Sequence, residues 1–345
     1  MQQHSMTVSG PLLDKNGHLT EMGYALSLIK DYDHNAVKAN SLRIKEWDYY
    51  CIVSDWYALA LTIADNGYLY MDSVSLLDFD GHSQATWSSI LPPFGRRRLP
   101  SSSVRGDISV SGKDYAITFE NDGKQRRLYG HVERFPNKNG KPLLFDVTLT
   151  GAPRDSMVIA TPFAGHPKAF YYNQKINCLR AEGKAVYGDR EYLFSPAHSF
   201  AVLDWGRGVW TYDNTWYWGS ASGLADGVPF GFNIGYGFGD TSAASENMLF
   251  YNGKAHKLSQ VTFEIPVKDG REDYLSPWKF TSDDGRFEMD FAPILDRCAK
   301  IDLKLLCSDQ HQVFGRFSGS AVLDDGREVH IRQFPGFAEK VHNRW

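Results

Sequence analysis

The sequence predicts an all-β protein built as two β-barrels, or two strongly curved antiparallel sheets, packed together. Three observations carry this reading. Apolar and aromatic residues recur at period two in short runs; Gly, Asn and Asp turns separate the runs at near-regular spacing; and the first half holds no long amphipathic helical pattern. A chain of 345 residues is long for one core and favours two domains of about 150 to 200 residues each. The texture changes between Gly151 and Tyr192, where aromatics mix with Lys175, Asn177 and Arg180. The expected domains are therefore residues 1–185 and 186–345, joined near Gly183 to Ser195.

Taken in order, Trp47, Tyr49, Cys51 and Val53 alternate with opposite-face residues, and so do Tyr57, Leu59, Leu61 and Ile63. Asp65-Asn66-Gly67 then turns the chain into Tyr68, Tyr70, Asp72, Val74 and Leu76, which makes a hairpin or meander. Ala58 to Leu61 would also suit a helix over Trp56 to Ala64, but the flanking aromatic alternation favours strand. Leu91 to Asp107 reads as loop. Strands resume at Ile108–Val110, Tyr115–Phe119, Arg126–Val132 and Leu143–Thr150. In the tail, Tyr251-Asn252-Gly253, Asp283-Asp284-Gly285 and Asp324-Asp325-Gly326 are turn signals. Val313–Val322 and Glu328–Ile331 read as closing strands.

Charge and cysteines exclude several classes. Net charge is −4, so no basic field points to nucleic acid as a partner. The one basic run, Arg96 to Arg98 between Pro93 and Pro100, reads as a solvated loop or a local anion contact. No apolar run approaches the ~20 residues of a membrane span. The N-terminal MQQHSMTVSG lacks the apolar core of a signal peptide. Cys51, Cys178, Cys298 and Cys307 form no CxxC pair and read as reduced thiols, so the expected location is the cytoplasm. The histidines form no HxxxH or His/Cys cluster, and neither a metal nor another cofactor is expected.

The densest chemistry lies in one stretch, LDWGRGVWTYDNTWYWGSASG, from Leu203 to Gly223. Trp205, Trp210, Trp216 and Trp218 flank Tyr212, with Asp204, Arg207 and Asp213 among them. Burying an unpaired charge is strongly unfavourable. Asp204 and Arg207 therefore form either a structural ion pair inside a barrel or part of a cleft that uses them. Downstream, Gly227, Gly231, Gly235, Gly237 and Gly239 interleave with Phe230, Phe232, Ile234, Tyr236 and Phe238. Without GK[ST] this is no phosphate loop. Glycine on one strand face instead lets a ligand or a packed ring approach closely. Glu246 follows in a polar turn, as a local cap or as a cavity residue. Ser220 and Ser222 lack the GxSxG frame of a nucleophile elbow. His311, between two glutamines, reads as structural. The catalytic candidates are Asp204, Arg207, Asp213 and Glu246. The ligand-binding candidates are Trp205, Trp210, Tyr212, Trp216, Trp218, Tyr236, Asp240 and His198.

The strings KINCLRAEG, LDWGRGVWTYDNTWYWGSASG, GFNIGYGFGDTSAASENMLFYNGKAHKL, SDDGRFEMDF, DQHQVFGRFSG and GFAEKVHNRW resemble the mainly bacterial family catalogued as domain of unknown function 2804. More distantly, the layout resembles two-barrel lipocalin-like proteins, the group of carotenoid hydratases, tocopherol cyclase and some fungal cyclising enzymes. That second resemblance implies an apolar ligand cavity with a few acid/base side chains. No catalytic residue is carried over from it.

A carboxylate in an apolar cavity has its pKa raised and can act as a general acid near neutrality. The leading expectation is an enzyme that isomerises, hydrates or cyclises a hydrophobic small molecule by acid/base chemistry. A non-catalytic carrier of such a ligand would need fewer ionisable groups. A carbohydrate-active protein would set carboxylates beside aromatic platforms.

Overall fold

A computed structural model of the chain describes residues 3–94, 97–302 and 307–345, so Arg96 of the basic run lies outside the described residues. The fold is almost entirely β, with two strongly curved antiparallel sheets. Beyond strands, the described residues form only single 3₁₀ turns at His34–Ala36 and Ser41–Arg43. The first sheet runs from Ser83–Leu91 through Tyr70–Asp78, Tyr57–Asp65, Ile44–Val53, Phe200–Val209, His166–Tyr187, Lys141–Thr150, Arg126–Phe135 and Tyr115–Asn121 to Ile108–Gly112. The second runs from Lys254–Lys257 through Met248–Tyr251, Val228–Tyr236, Asp213–Ala225, Glu328–Arg344, Cys307–Val322, Phe287–Asp302 and Trp278–Ser282 to Val261–Glu264.

The aromatic alternation prevails over helical propensity at Tyr57–Asp65, which pairs on both edges. The closing strands are longer than their alternation suggested, Glu328–Arg344 reaching the end of the chain. The 185/186 boundary falls inside His166–Tyr187, and Phe200–Val209 still pairs in the first sheet, with Ile44–Val53. The chain enters the second sheet only at Asp213. Strand partners far apart in sequence set that crossing.

Each sheet wraps its own core. Tyr50 meets Phe119 edge-on across the first, at 5.0 Å. Phe232 meets Phe287 and Phe317 in the second, at 5.0 Å each. Each such buried ring contributes about 1.5–3 kcal/mol. The outer faces then pack back to back. Asn177 Nδ2 donates to Ser220 Oγ (2.9 Å) and to the Phe232 carbonyl (3.0 Å), and the Cys178 N–H donates to Ser222 Oγ. The register of His166–Tyr187 shifts between Ile176 and Leu179, with Cys178 at φ +61°. That bulge bends the strand against its partner sheet. The glycine alternation finds its reason in the same packing. Gly231 and Gly235 face the first sheet, and a Cβ on Gly231 would stand 2.7 Å from Cys178 Sγ.

Candidate functional site

Strand periodicity decides the geometry. On Phe200–Val209 side chains alternate between faces, so Asp204 and Arg207, three residues apart, point in opposite directions. Of the two readings, the mutual ion pair does not form: Asp204 pairs with Lys175 and Arg207 with Asp48. Two separate polar clusters take its place, one on each face of the sheet.

On the inner face Arg207 is fully buried. Its Nη1 donates to the carbonyls of Trp47 (2.7 Å) and Gly206 (2.8 Å). Its Nη2 donates to Asp48 Oδ1 (2.9 Å) and the Pro100 carbonyl (2.8 Å). The guanidinium also lies 4.3 Å from the centre of the Trp205 ring. Beside it Glu46 accepts from the Tyr32 hydroxyl and pairs with His34 Nδ1. Arg207 thus ties a central strand to the loop that carries Pro100, and only its Nε lacks a partner.

On the outer face, between the sheets, Asp204 lies directly across from Lys175 in the strand register. Lys175 Nζ is 3.1 Å from Asp204 Oδ2, and Asn173 Nδ2 donates to Asp204 Oδ1 at 2.6 Å. The Lys175 ammonium also sits 3.9 Å over the Trp218 ring. The second sheet contributes Glu339, which accepts from Trp216 Nε1 (3.1 Å) and Gln312 Nε2 (2.9 Å). The Gly237–Asn247 connection contributes Glu246. Gly235 makes room for that carboxylate, since a Cβ there would stand 2.3 Å from Glu246 Oε1.

Glu246 is 1% exposed, and neither of its carboxylate oxygens has a hydrogen-bond partner. It is therefore no local cap. Burial pushes its carboxyl up to about 7, a rise that Lys175 opposes and Asp204 reinforces. Burial likewise raises Glu339 to about 7, against the Trp216 hydrogen bond and the charges of Arg297 and Lys175. Tyr171, fully buried, is pushed well above the usual phenol range by burial and then by Glu246, Asp204 and Glu339. Its hydroxyl also lacks a partner, as do Asn173 Oδ1 and Trp210 Nε1. Tyr171 stacks on Phe238 (4.9 Å, 15°), and Trp210 lies edge-on to Tyr171 and to Trp216. A carboxyl near its titration point, set among aromatic rings, can give or take a proton at neutral pH.

The structure thus brings Asp204, Glu246, Trp210, Trp216 and Trp218 to one interface. The other candidates lie elsewhere. Arg207 and Trp205 belong to the inner face. Asp213 is an exposed partner of His342 Nε2 (3.0 Å), at the start of its strand. His198 sits on an exposed turn, 3.6 Å from Asp55. Tyr212 is 40% exposed. Asp240 Oδ1 closes a turn by accepting the Ser242 N–H. Tyr236 stacks on Tyr217 (4.5 Å), away from the interface. Tyr171, Asn173, Lys175 and Glu339 also lie at this interface and are not among the sequence candidates. Lys175 carried one usable signal, a lysine within an otherwise buried strand. No three His, Cys, Asp or Glu side chains among the described residues are placed to hold a metal ion.

Fold and geometry define a protein of two back-to-back curved sheets with a buried carboxylate cluster between them. The chain belongs to the family described as domain of unknown function (DUF2804), whose model matches residues 3–345. No curated protein matches it in sequence. Among solved structures it is similar to kievitone hydratase from Nectria haematococca, with 13% identity, TM-score 0.54 and 98% of each chain covered. It is also similar to a putative AttH from Nitrosomonas europaea, with 15% identity, TM-score 0.54 and coverage of 91% of this chain and 98% of that one. At these identities the likeness establishes the fold alone.

Proposed function

We propose that the cluster between the sheets is an acid/base site acting on a hydrophobic small molecule, by isomerisation, hydration or cyclisation. The observation that carries this is Glu246, buried among aromatic rings, with both oxygens unpartnered and its carboxyl raised to about 7. A scaffold carboxylate would be expected to end in hydrogen bonds, as Asp48 does with Arg207. Perturbed acids of this kind cluster at functional sites. Glu246 is the proton donor or acceptor. Glu339 is a second acid of similar poise, and the Asp204–Lys175 pair fixes the field around both. Tyr171, kept neutral, is a hydrogen-bond donor to a developing oxyanion. The shared fold with kievitone hydratase fits an enzyme of this type but assigns no residue.

The test follows the masses and retention times of small lipophilic molecules incubated with the wild-type protein and with Glu246→Gln. Hydration adds one water, whereas isomerisation or cyclisation changes retention at constant mass. The expectation is conversion by the wild type and none by the variant, with binding retained in both. Binding without conversion in either protein would make this a carrier. No binding at all would place the site elsewhere.

A further inference from the structure

The unpartnered atoms between the sheets bear on what the site takes. Among the described residues, the buried polar atoms there without partners include Tyr171 Oη, Asn173 Oδ1, Trp210 Nε1, and Oε1 and Oε2 of Glu246. Their residues are between 0% and 3% exposed. Tyr171 and Asn173 project from the same face of His166–Tyr187, two residues apart, and the Trp210 ring lies 5.6 Å from that of Tyr171. Glu246 is close enough for its charge to act on Tyr171. Buried donors and acceptors in native proteins are almost always satisfied, so several without partners in one interface point to a molecule that supplies them.

The kinds of atom narrow that molecule. Trp210 Nε1 can only donate and Asn173 Oδ1 can only accept, while the Tyr171 hydroxyl and a protonated Glu246 do both. A bare hydrocarbon satisfies none of them. An anion is also poorly served, because the Lys175 ammonium is already paired with the Asp204 carboxylate. Lys257 donates to Ser245 Oγ and to the carbonyls of Asn247 and Leu258. Desolvating a charge without a cation to meet it is strongly unfavourable. The walls favour a flat molecule. Tyr171, Phe238, Trp210 and Trp216 form a continuous set of stacked and edge-on rings, with centroids 4.9 to 6.4 Å apart.

We infer that the site takes a neutral, planar, hydroxyl-bearing aromatic or conjugated molecule, and neither a hydrocarbon nor a lipophilic acid. The inference rests on the acid/base site proposed above and names its ligand class. A hydroxyl both donates and accepts, so it matches an acceptor such as Asn173 Oδ1 and a donor such as Trp210 Nε1 alike. A site built to pair a ligand hydroxyl rejects the analogue that lacks it far more strongly than an apolar pocket rejects a missing methylene.

The experiment measures naphthalene, naphthol and naphthoate binding to the full chain at neutral pH by calorimetry, with wild type, Tyr171→Phe and Asn173→Leu. The three probes share one ring system and differ in the polar group. The expected result is naphthol binding at least about tenfold tighter than either of the others, equivalent to about 1.4 kcal/mol. In both variants that preference should shrink while naphthalene affinity stays level. Circular dichroism keeps the comparison to folded protein. Equal affinity for naphthol and naphthalene, a preference for naphthoate, or no binding by any probe overturns the ligand class. Water alone would then satisfy these atoms. The titration of Glu246 is read independently of any ligand, so the failure of this inference can be told from failure of the acid/base reading.

Discussion

Arg207 and Asp204 stand three residues apart on one strand, yet their surroundings differ in kind. Arg207 is held by four hydrogen bonds from its terminal nitrogens, one of them to buried Asp48. Asp204 belongs to a cluster in which Glu246, Tyr171 and Asn173 keep unpartnered atoms. Among the described residues, the atoms left unpartnered around Arg207 are N–H donors of Arg207 and Trp205, whereas the other face leaves both oxygens of the Glu246 carboxylate without a partner. The difference separates scaffold from site better than burial or charge does, since both faces are buried and both are charged.

The comparison breaks most readily on the inner face. Arg207→Gln leaves Asp48 buried without its cation, which should cost about 3–5 kcal/mol in urea unfolding. Adding Asp48→Asn should recover much of that loss. If the single variant unfolds like the wild type, the inner cluster is not scaffold.

On the other face the sign reverses. Folding raises Glu246 from 4.5 to about 7. The folded state therefore binds the proton more tightly, and stability falls as pH rises from about 4.5 to about 7. Each pH unit between the two values is worth about 1.4 kcal/mol, so the loss reaches about 3 kcal/mol. Glu246→Gln cannot ionise. It should melt above the wild type at about pH 8 and lose that advantage near pH 5. Glu339 continues to titrate, so the slope weakens without vanishing.

Gly235→Ala sharpens the packing side of the comparison. Its Cβ would come within 2.3 Å of Glu246 Oε1 and 2.5 Å of the Tyr217 carbonyl. We expect a loss of about 1–3 kcal/mol, read by thermal melting. The smallest effect belongs to a residue first counted as catalytic. Asp213→Asn removes an exposed pair with His342, and its melting curve should shift by no more than the ~0–1 kcal/mol typical of such pairs.

Much of the fold could be read from local pattern. Period-two alternation and the turns at Asp65-Asn66-Gly67 and Asp324-Asp325-Gly326 marked strands and their ends, because side-chain direction and turn chemistry are local properties. The crossing between sheets was not local. Phe200–Val209 joins the first sheet by pairing with Ile44–Val53, which is about 150 residues away in sequence. The site divides the same way. Glycine at 231 and 235 foretold a close approach but not what approaches. Glu246 stood out as a carboxylate in an aromatic and glycine-rich segment. Asp204 and Arg207 are close in sequence, but strand periodicity turns them to opposite faces, where they pair with Lys175 and Asp48. Tyr171, Asn173 and Glu339 acquire their roles only when two sheets meet, which no single strand's pattern contains.

The decisive point is whether Glu246 keeps its proton at neutral pH. Infrared difference spectroscopy across about pH 5 to about pH 9 detects the carbonyl stretch of a buried, protonated carboxyl group directly. The account predicts a carboxylic-acid band that titrates near neutrality and loses one component in Glu246→Gln while the Glu339 component remains. A spectrum in which Glu246→Gln changes nothing, because the group is already ionised at about pH 5, would contradict it.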